Sequence, residues 1–582
     1  MSLTTPIAQA LCAALELGPG QAGEIERLLS TPPNLALGDF AFPCFQLARQ
    51  LRSAPPKIAA ELAAKIPTGG LISRATAAGP YVNFFLNRTA ATRQVIGAVR
   101  TAADRYGASD DGAGRTMVVE FSSPNIAKPF HFGHLRSTNI GANLARLFEF
   151  AGWQVVRRNY LGDWGTQFGF VIYAWRRWGD EAALAARAID YLVELYVRAY
   201  RESEQDPSIR DQARELFRRL EQGDAEIVPL WQKFRELSLA GFVRTYTRLA
   251  IGFDNFDGEA AASRNMDAVI RRFVTAGVAV ESEGALVVPV ADVIGRDIAP
   301  LMLRKSDGAS TYAARDCAEA IERYSRYRFD GNIYVVSRQE DYFAQLFVAL
   351  SKLGKAEGWP VDWPALCQNV SFGFVRGMST RKGEAVWLED VLDEARDRAR
   401  RVREEKSAAN PRSFPVLPTA ELDAIGEGVG QAALLYFDVS SRRLSDVSFD
   451  WDTVLQFEGN TGPYLQYAHA RMCGIFRRAG EQGLAAGDAP AAAVADEEWA
   501  LVLCIREFPS AVQRACVGRE PHEISRYLGS LASAFNGFYN NHMVLDPADP
   551  GTSAGRLALV GASRTVLANG LRLLGIRPLE VM

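Results

Sequence analysis

Histidine is scarce in this chain, with five among 582 residues. The seven cysteines, at positions 12, 44, 317, 367, 473, 504 and 516, form no CxxC pair. The cysteines therefore lack the spacing of a zinc site, and no metal site of the protein's own is expected. No GxxxxGK[ST] string occurs, which excludes a Walker A phosphate loop. No apolar run approaches the roughly 18 residues that a membrane-spanning helix needs. The opening MSLTTPIAQALCAALELG lacks a basic n-region and is expected to form an amphipathic helix, not a signal peptide. Excess positive charge is missing too: 65 Lys and Arg against 68 Asp and Glu leave a net charge of −3. A non-specific nucleic-acid binder is usually basic, so that class is disfavoured. A structured RNA held through local basic patches remains compatible. Unpatterned cysteines fit a reducing compartment, so a cytoplasmic protein with no membrane partner is expected.

What is present is ordinary globular composition, 48% hydrophobic and 23% charged. At roughly 150 residues per domain, this length predicts three or four domains. The chain is organised around residues 121–139, FSSPNIAKPFHFGHLRSTN, where His131 and His134 stand three apart with Gly133 between them. The apolar run 117–119 precedes this stretch and an apolar-periodic segment, 135–148, follows it. The pattern predicts a buried strand, a turn at Pro124 and a helix opening near His131. A strand feeding a helix N-terminus leaves unpaired N–H groups aimed outward, which suits an anion. Two imidazoles and Lys128 there suit a polyphosphate. A zinc pair is the weaker reading, since no Glu follows the first His; a packed core histidine is the bland one.

A second strand at 153–159 runs into Asn159-Tyr160-Leu161-Gly162-Asp163-Trp164-Gly165. Two strands separated by a helix imply a βαβ unit and a parallel sheet, with both strand ends facing one site. Asp163 belongs to that site or caps the next helix. Residues 180–250 are charged and helical in pattern and predict a solvated insertion. The strands expected at 284–290 and 334–336 return to the sheet. Tyr312 and Asp316, four apart, share a helix face; a carboxylate beside a phenol suits a guanidinium, unless Asp316 pairs with a structural arginine. The charged helix 387–407 reads as a solvated face. Near residue 425 the pattern turns helical, and Tyr464, Tyr467 and Arg471 share a face suited to unstacked bases or to core packing. Residues 100–115 read as a polar linker.

HFGH resembles the HxGH signature of class I aminoacyl-tRNA synthetases, and the longer SSPNIAKPFHFGHLRST is similar to the arginyl-tRNA synthetases in particular. Phe374 to Gly383 resembles the second class I signature, KMSKS: Met378 and Ser379 match, while Gly377 and Thr380 replace its lysines. The GDFAFP and AGPYVNFFL strings resemble that family's N-terminal domain, and AFNGFY with the ending RLLGIRPLEVM its anticodon-binding bundle. The resemblance covers the whole chain. It implies a multidomain α/β protein: an N-terminal α+β domain (residues 1–112), a Rossmann-like parallel-sheet catalytic domain (113–395) and a linking helix with an all-α C-terminal bundle (396–582).

The resemblance also implies an arginine–tRNA ligase that forms arginyl-adenylate and passes arginine to the terminal adenosine of tRNA. Its partners are ATP with Mg²⁺, L-arginine and tRNA(Arg), and it acts as a monomer. Lys128, His131, His134, Met378, Ser379, Arg381 and Lys382 would serve the chemistry. Pro124, Asn125, Ala127, Lys128, His131, Gly133 and His134 would hold ATP. Glu120, Ser123, Asn125, Tyr312, Asp316 and Gln339 would hold arginine. Tyr81, Asn83, Tyr464, Tyr467, Arg471, Tyr539 and Met582 would touch tRNA. A paralogue serving a special pathway or inhibitor resistance, and a tRNA-binding protein without catalysis, are the alternatives.

Overall fold

The computed structural model describes residues 3–128, 130–376, 386–411, 414–488 and 494–582. Its centre is a four-stranded parallel sheet in the order Cys367–Phe372, Gly331–Ser337, Thr116–Glu120, Gln154–Arg158. Met117, Val118 and Val119 are buried, as a strand covered on both faces requires. From Thr116–Glu120 the chain steps to one side of the sheet, then returns to the other at Gly331–Ser337. That reversal opens a crevice at the carboxyl ends of the two strands, at Glu120 and Ser337.

The helix His134–Phe150 leaves from the central strand and packs back on it closely. A Cβ on Gly141 would sit 2.2 Å from the Cβ of Phe121, so only glycine permits this approach. Tyr334 and its neighbours form the expected sheet strand, but the expected strand at 284–290 does not join them. Ala285–Val288 pairs antiparallel with Val280–Ser282 and Leu301–Arg304 in a separate sheet. The tight turn explains the difference: Glu283 and Gly284 both take positive φ, 50° and 78°, as a two-residue hairpin demands.

The helices Glu181–Gln205, Ser208–Glu221 and Ile227–Arg248 form the expected insertion, but it is not simply solvated. Phe234, Phe242 and Tyr246 are almost fully buried, Phe234 against Trp175, and Phe242 and Tyr246 against Phe130. Charges on the outer faces concealed that inner face. The stretch 100–115 is likewise not a loose linker. The helix Arg88–Ala102 runs into it, the Tyr106 hydroxyl donates to the Ile505 carbonyl, and Asn569 Nδ2 donates to the carbonyl of Ala103.

The N-terminal unit is a three-stranded antiparallel sheet, Phe40–Pro43, Tyr81–Leu86, Ile72–Ala78, with helices against it. Its buried Asp39 accepts from Leu86 N–H and from Trp499 Nε1, each at 2.7 Å, which joins it to the C-terminal bundle. That bundle includes Leu388–Ala409, Thr419–Val439, Gly462–Glu481, His522–Asn541 and Pro550–Leu573. No helix among the described residues is long and apolar enough to cross a membrane.

Candidate active site and nucleic-acid face

Beyond Glu120 the backbone turns through left-handed conformations at Ser122, Ser123 and Ala127, with φ of 73°, 48° and 56°. Non-glycine residues held there cost about 1–3 kcal/mol each and persist only where the surroundings fix them. The surroundings are a buried hydroxyl network. Ser122 Oγ lies 2.6 Å from the Tyr246 hydroxyl and accepts from Thr138 Oγ1 at 2.8 Å. Asn159 Nδ2 donates to Tyr246 at 2.9 Å, and the Ser122 N–H to Ser137 Oγ at 3.0 Å. The insertion thus reaches the signature turn directly through Tyr246, and through Ser238, which accepts the Ala127 N–H.

The two strand ends do meet. Asn125 and Gly162 form a parallel bridge, Ile126 N–H donating to the Gly162 carbonyl and Gly162 N–H to that of Pro124, each at 3.1 Å. A Cβ at Gly162 would sit 2.2 Å from Asn125 Oδ1. Asp163 does not cap the following helix. It pairs with Arg235 Nε at 2.8 Å and accepts the Ala260 N–H at 2.9 Å, clamping the insertion to the site.

The helix opens at His134, not His131. Residues 130–132 are held extended instead, because Phe132 N–H donates to the Val386 carbonyl and Leu388 N–H to that of Phe130. The two imidazole rings lie 3.9 Å apart. Burial pushes His131 below the usual histidine range; burial and the neighbouring His131 push His134 down to about 3. Both rings are neutral at pH 7. His131 Nδ1 accepts the Gly133 N–H at 3.1 Å and His134 Nδ1 the His131 N–H at 3.2 Å. Each neutral ring offers one uncharged N–H donor. Pro124 and Ala127 are buried and shape the turn through their backbone, while Gly133 and Asn125 are exposed on it. Lys128 Nζ lies 5.9 Å from the Tyr196 ring centre. Met378, Ser379, Arg381 and Lys382 lie outside the described residues.

Beside the turn is a cavity of about 700 Å³ at the crevice of the sheet, lined by Glu120, Ser123, Tyr312, Asp316 and Gln339 among others. Of the expected arginine ligands, Asn125 alone is not in its lining. Tyr312 and Asp316 share a face of Tyr312–Tyr327, and Gln339 precedes Glu340–Glu357. The Tyr342 hydroxyl donates to the Asp316 carboxylate. Burial pushes Asp316 up to about 7; the Tyr342 bond pulls it partway back, and Glu120, Glu319 and Glu259 add to the rise.

Glu120 lines the cavity with its carboxylate already paired: it is buried against Arg323, which also holds Glu319 at 2.7 Å. Arg158 closes the cluster at 2.7 Å from Glu319. Glu120 is the pre-neutralised floor of the cavity. Sequence reasoning missed Glu259, Tyr160 and Tyr342, all in the lining. Glu259 is pushed above the usual carboxylate range by burial, with Arg315 opposing. The buried Tyr160 hydroxyl makes no hydrogen bond among the described residues. Of the other carboxylates in the lining, Asp316 has no ion pair among the described residues, Arg315 stands 3.9 Å from Glu259, Arg296 pairs with Asp341, and Glu340 lies exposed at the start of its helix.

In the bundle, Tyr464, Tyr467 and Arg471 of Gly462–Glu481 face Asn536 and Tyr539 of His522–Asn541. Asn536 Nδ2 donates to the Tyr464 hydroxyl at 2.8 Å and its Oδ1 accepts from Arg471 at 3.0 Å. The Arg471 guanidinium lies 4.8 Å from the Tyr467 ring and 5.5 Å from that of Tyr539. The rings are half-buried. Two of the expected contacts are buried. Met582 is only 7% exposed, its C-terminal segment drawn in by His469 Nδ1 at the Leu579 carbonyl, 2.8 Å. Asn83 is 5% exposed, on the central strand between Ala41 and Thr76, so of that pair only Tyr81 is open.

Comparison with known proteins gives three family matches in chain order. Residues 1–86 match the arginyl tRNA synthetase N terminal domain, 99–451 the catalytic domain of tRNA synthetases class I (R), and 465–582 the DALR anticodon binding domain. An arginine–tRNA ligase of Clostridium perfringens is 42% identical, covering 96% of each chain. One from Lactococcus lactis is 40% identical over 99% of each. The solved arginyl-tRNA synthetase of Thermus thermophilus superposes with a TM-score of 0.78 at 27% identity, covering 99% of both chains.

Proposed function

Since the chain belongs to the arginyl-tRNA synthetases, class I enzymes that join arginine to its tRNA with ATP, we propose how its residues divide that work. The arginine guanidinium enters the cavity and meets Asp316 and Glu259, with Tyr312, Tyr342 and Gln339 around it. ATP lies across the 124–134 turn, its phosphates over the opening of His134–Phe150. Mg²⁺ arrives on those phosphates. The arginine carboxylate attacks the α-phosphorus; an O–P bond forms and the bond to pyrophosphate breaks. No general base is needed, because the nucleophile is already ionised. A hydroxyl of the tRNA's terminal adenosine then attacks the adenylate carbonyl and AMP leaves. Tyr464, Tyr467, Arg471 and Tyr539 hold unstacked bases, and Tyr81 meets the tRNA from the N-terminal unit. The observation that carries this reading is that Ser123, from the signature turn, lines the same cavity as Asp316 and Glu259.

Because both histidines are neutral, Lys128 is the positive charge that this turn brings to the phosphates. Lys128→Ala is expected to lower the rate of tRNA-dependent pyrophosphate exchange about 100-fold, the scale of losing one transition-state charge contact, with KM for arginine little changed. Exchange at the parent rate would sink the role given to Lys128.

The proton on Asp316 gives a pH dependence. A guanidinium pairs with the ionised carboxylate, so binding must expel a proton wherever the free site holds one. Free Asp316 is held up to about 7. KM for arginine is therefore expected to rise by about tenfold per pH unit as pH falls below 7, and to level off above it. A KM flat from pH 6 to 8 would show that Asp316 does not face the guanidinium.

A further inference from the structure

The signature helix carries, in its first turn, a side chain that the reactions above do not use. Arg136 is 1% exposed. Its guanidinium divides among three partners outside the helix. Nη1 donates to the Phe374 carbonyl at 3.4 Å, Nη2 to the Arg443 carbonyl at 3.1 Å, and Nε lies 3.4 Å from Asp438 Oδ1. Three residues on, Asn139 Nδ2 donates to Asp438 Oδ2 at 3.0 Å and to the Leu435 carbonyl at 2.9 Å. Removing a guanidinium and a carboxylate from water costs several kcal/mol per ion, and well-packed apolar side chains often stabilise such a site equally well. Stability alone is a poor account of this arrangement; a fixed geometry is a better one.

The partners share a location. Phe374 immediately precedes the short strand Val375–Arg376, which pairs in parallel with Val447–Ser448. Arg443 lies in the segment between Thr419–Val439 and that second strand. From the solvent side the same ladder is gripped by Asp446, which accepts the Phe374 N–H at 3.0 Å and Arg376 Nη2 at 2.8 Å. Arg338, from the cavity wall, donates to the Leu444 carbonyl at 2.9 Å. The ladder is thus tied to the signature helix from within and to the amino-acid cavity from without.

We propose that Arg136 is a positioning residue for ATP: it fixes the N-terminus of His134–Phe150, with Gly133 and His134, at one height and rotation against the Phe374–Arg376 ladder. This rests on the reading that the HFGH turn handles ATP. Reacting groups misplaced by about 1 Å lose about 100-fold in rate, so a device that sets this spacing acts on the chemistry without touching it.

Arg136→Lys tests the idea, because it keeps a charge opposite Asp438 and loses the fork that reaches both carbonyls. Tyrosine fluorescence and melting establish the fold; tRNA-dependent pyrophosphate exchange gives the kinetics. The expected result is KM for ATP raised about tenfold and kcat lowered about tenfold, with KM for arginine and tRNA affinity each within twofold. Asp446→Ala, a surface change that spares the core, is expected to move the same two constants in the same direction by a smaller factor, and it decides the matter if Arg136→Lys does not fold. Unchanged ATP kinetics in a folded Arg136→Lys enzyme, or a loss confined to the fraction of active sites, overturns the proposal. His134→Ala separates the two levels. If it impairs ATP use and neither positioning variant does, only the role of Arg136 falls; if it too leaves ATP use intact, the reading of the turn falls.

Discussion

Asp316→Ala is expected to lower kcat/KM for arginine by about 100- to 1000-fold, carried by KM, with KM for ATP within a fewfold of the parent. Truncating one partner of a buried, hydrogen-bonded charge pair costs about 2–5 kcal/mol, and this pair sits in such a place. The carboxylate lies in the cavity wall, held by the Tyr342 hydroxyl and flanked by Tyr312. The other acidic groups of the lining replace it only in part: Arg323 and Arg158 already neutralise Glu120 and Glu319, and Arg296 pairs with Asp341. Glu259 and the exposed Glu340 remain, which is why some affinity survives. Tyr342→Phe is the milder companion, because it frees Asp316 from one donor without removing its charge. Steady-state exchange at varied arginine checks both. An Asp316→Ala enzyme within fivefold of the parent in KM for arginine would move the guanidinium elsewhere in the cavity.

His134→Ala is expected to lower kcat for exchange by about 100-fold or more, the cost of removing one preorganised donor from developing phosphate charge. The structure adds a sharper expectation. Burial and His131 hold His134 down at about 3, so the ring stays neutral throughout the working range and acts as a dipole, not as a charge. The rate at saturating substrates is therefore expected to show no titration of His134 between pH 5.5 and 8. A step near pH 6.5 that vanishes in the variant would mean that the ring works as an imidazolium. His134→Asn, which keeps a side-chain donor, is expected to recover part of the loss.

The sequence reveals what is local. The parallel pair around the HFGH turn and the shared face of Tyr312 and Asp316 follow from patterns within a few residues, although the helix opens three residues later than His131 and the strand near 284–290 belongs to another sheet. That the two strand ends face one site was also legible; the bridge between Asn125 and Gly162 that joins them was not. Long-range partners were not legible. Glu259 belongs to the five-residue helix Glu259–Ser263 and is brought to the cavity only by the fold. Tyr246 looks like one more apolar residue in a charged helical stretch, yet its hydroxyl braces Ser122 from 124 positions away. Glu120 has the right place, but its chemistry is altered by Arg323, 203 residues later. Position along a strand could be inferred; ionic bookkeeping at the strand's end could not.

The hydrogen bond from Trp499 to Asp39 joins residues 460 apart. Asp39 is also the group that secures the Leu86 N–H inside the first unit. On the ribosome, which emits the N-terminal end first, Asp39 emerges hundreds of residues before its indole partner. Until the C-terminal bundle is made, that carboxylate has half of its final hydrogen bonding and the first unit has one face bare. The nascent chain therefore completes its oldest part last, and the contact that unites the two ends can form only in a finished molecule.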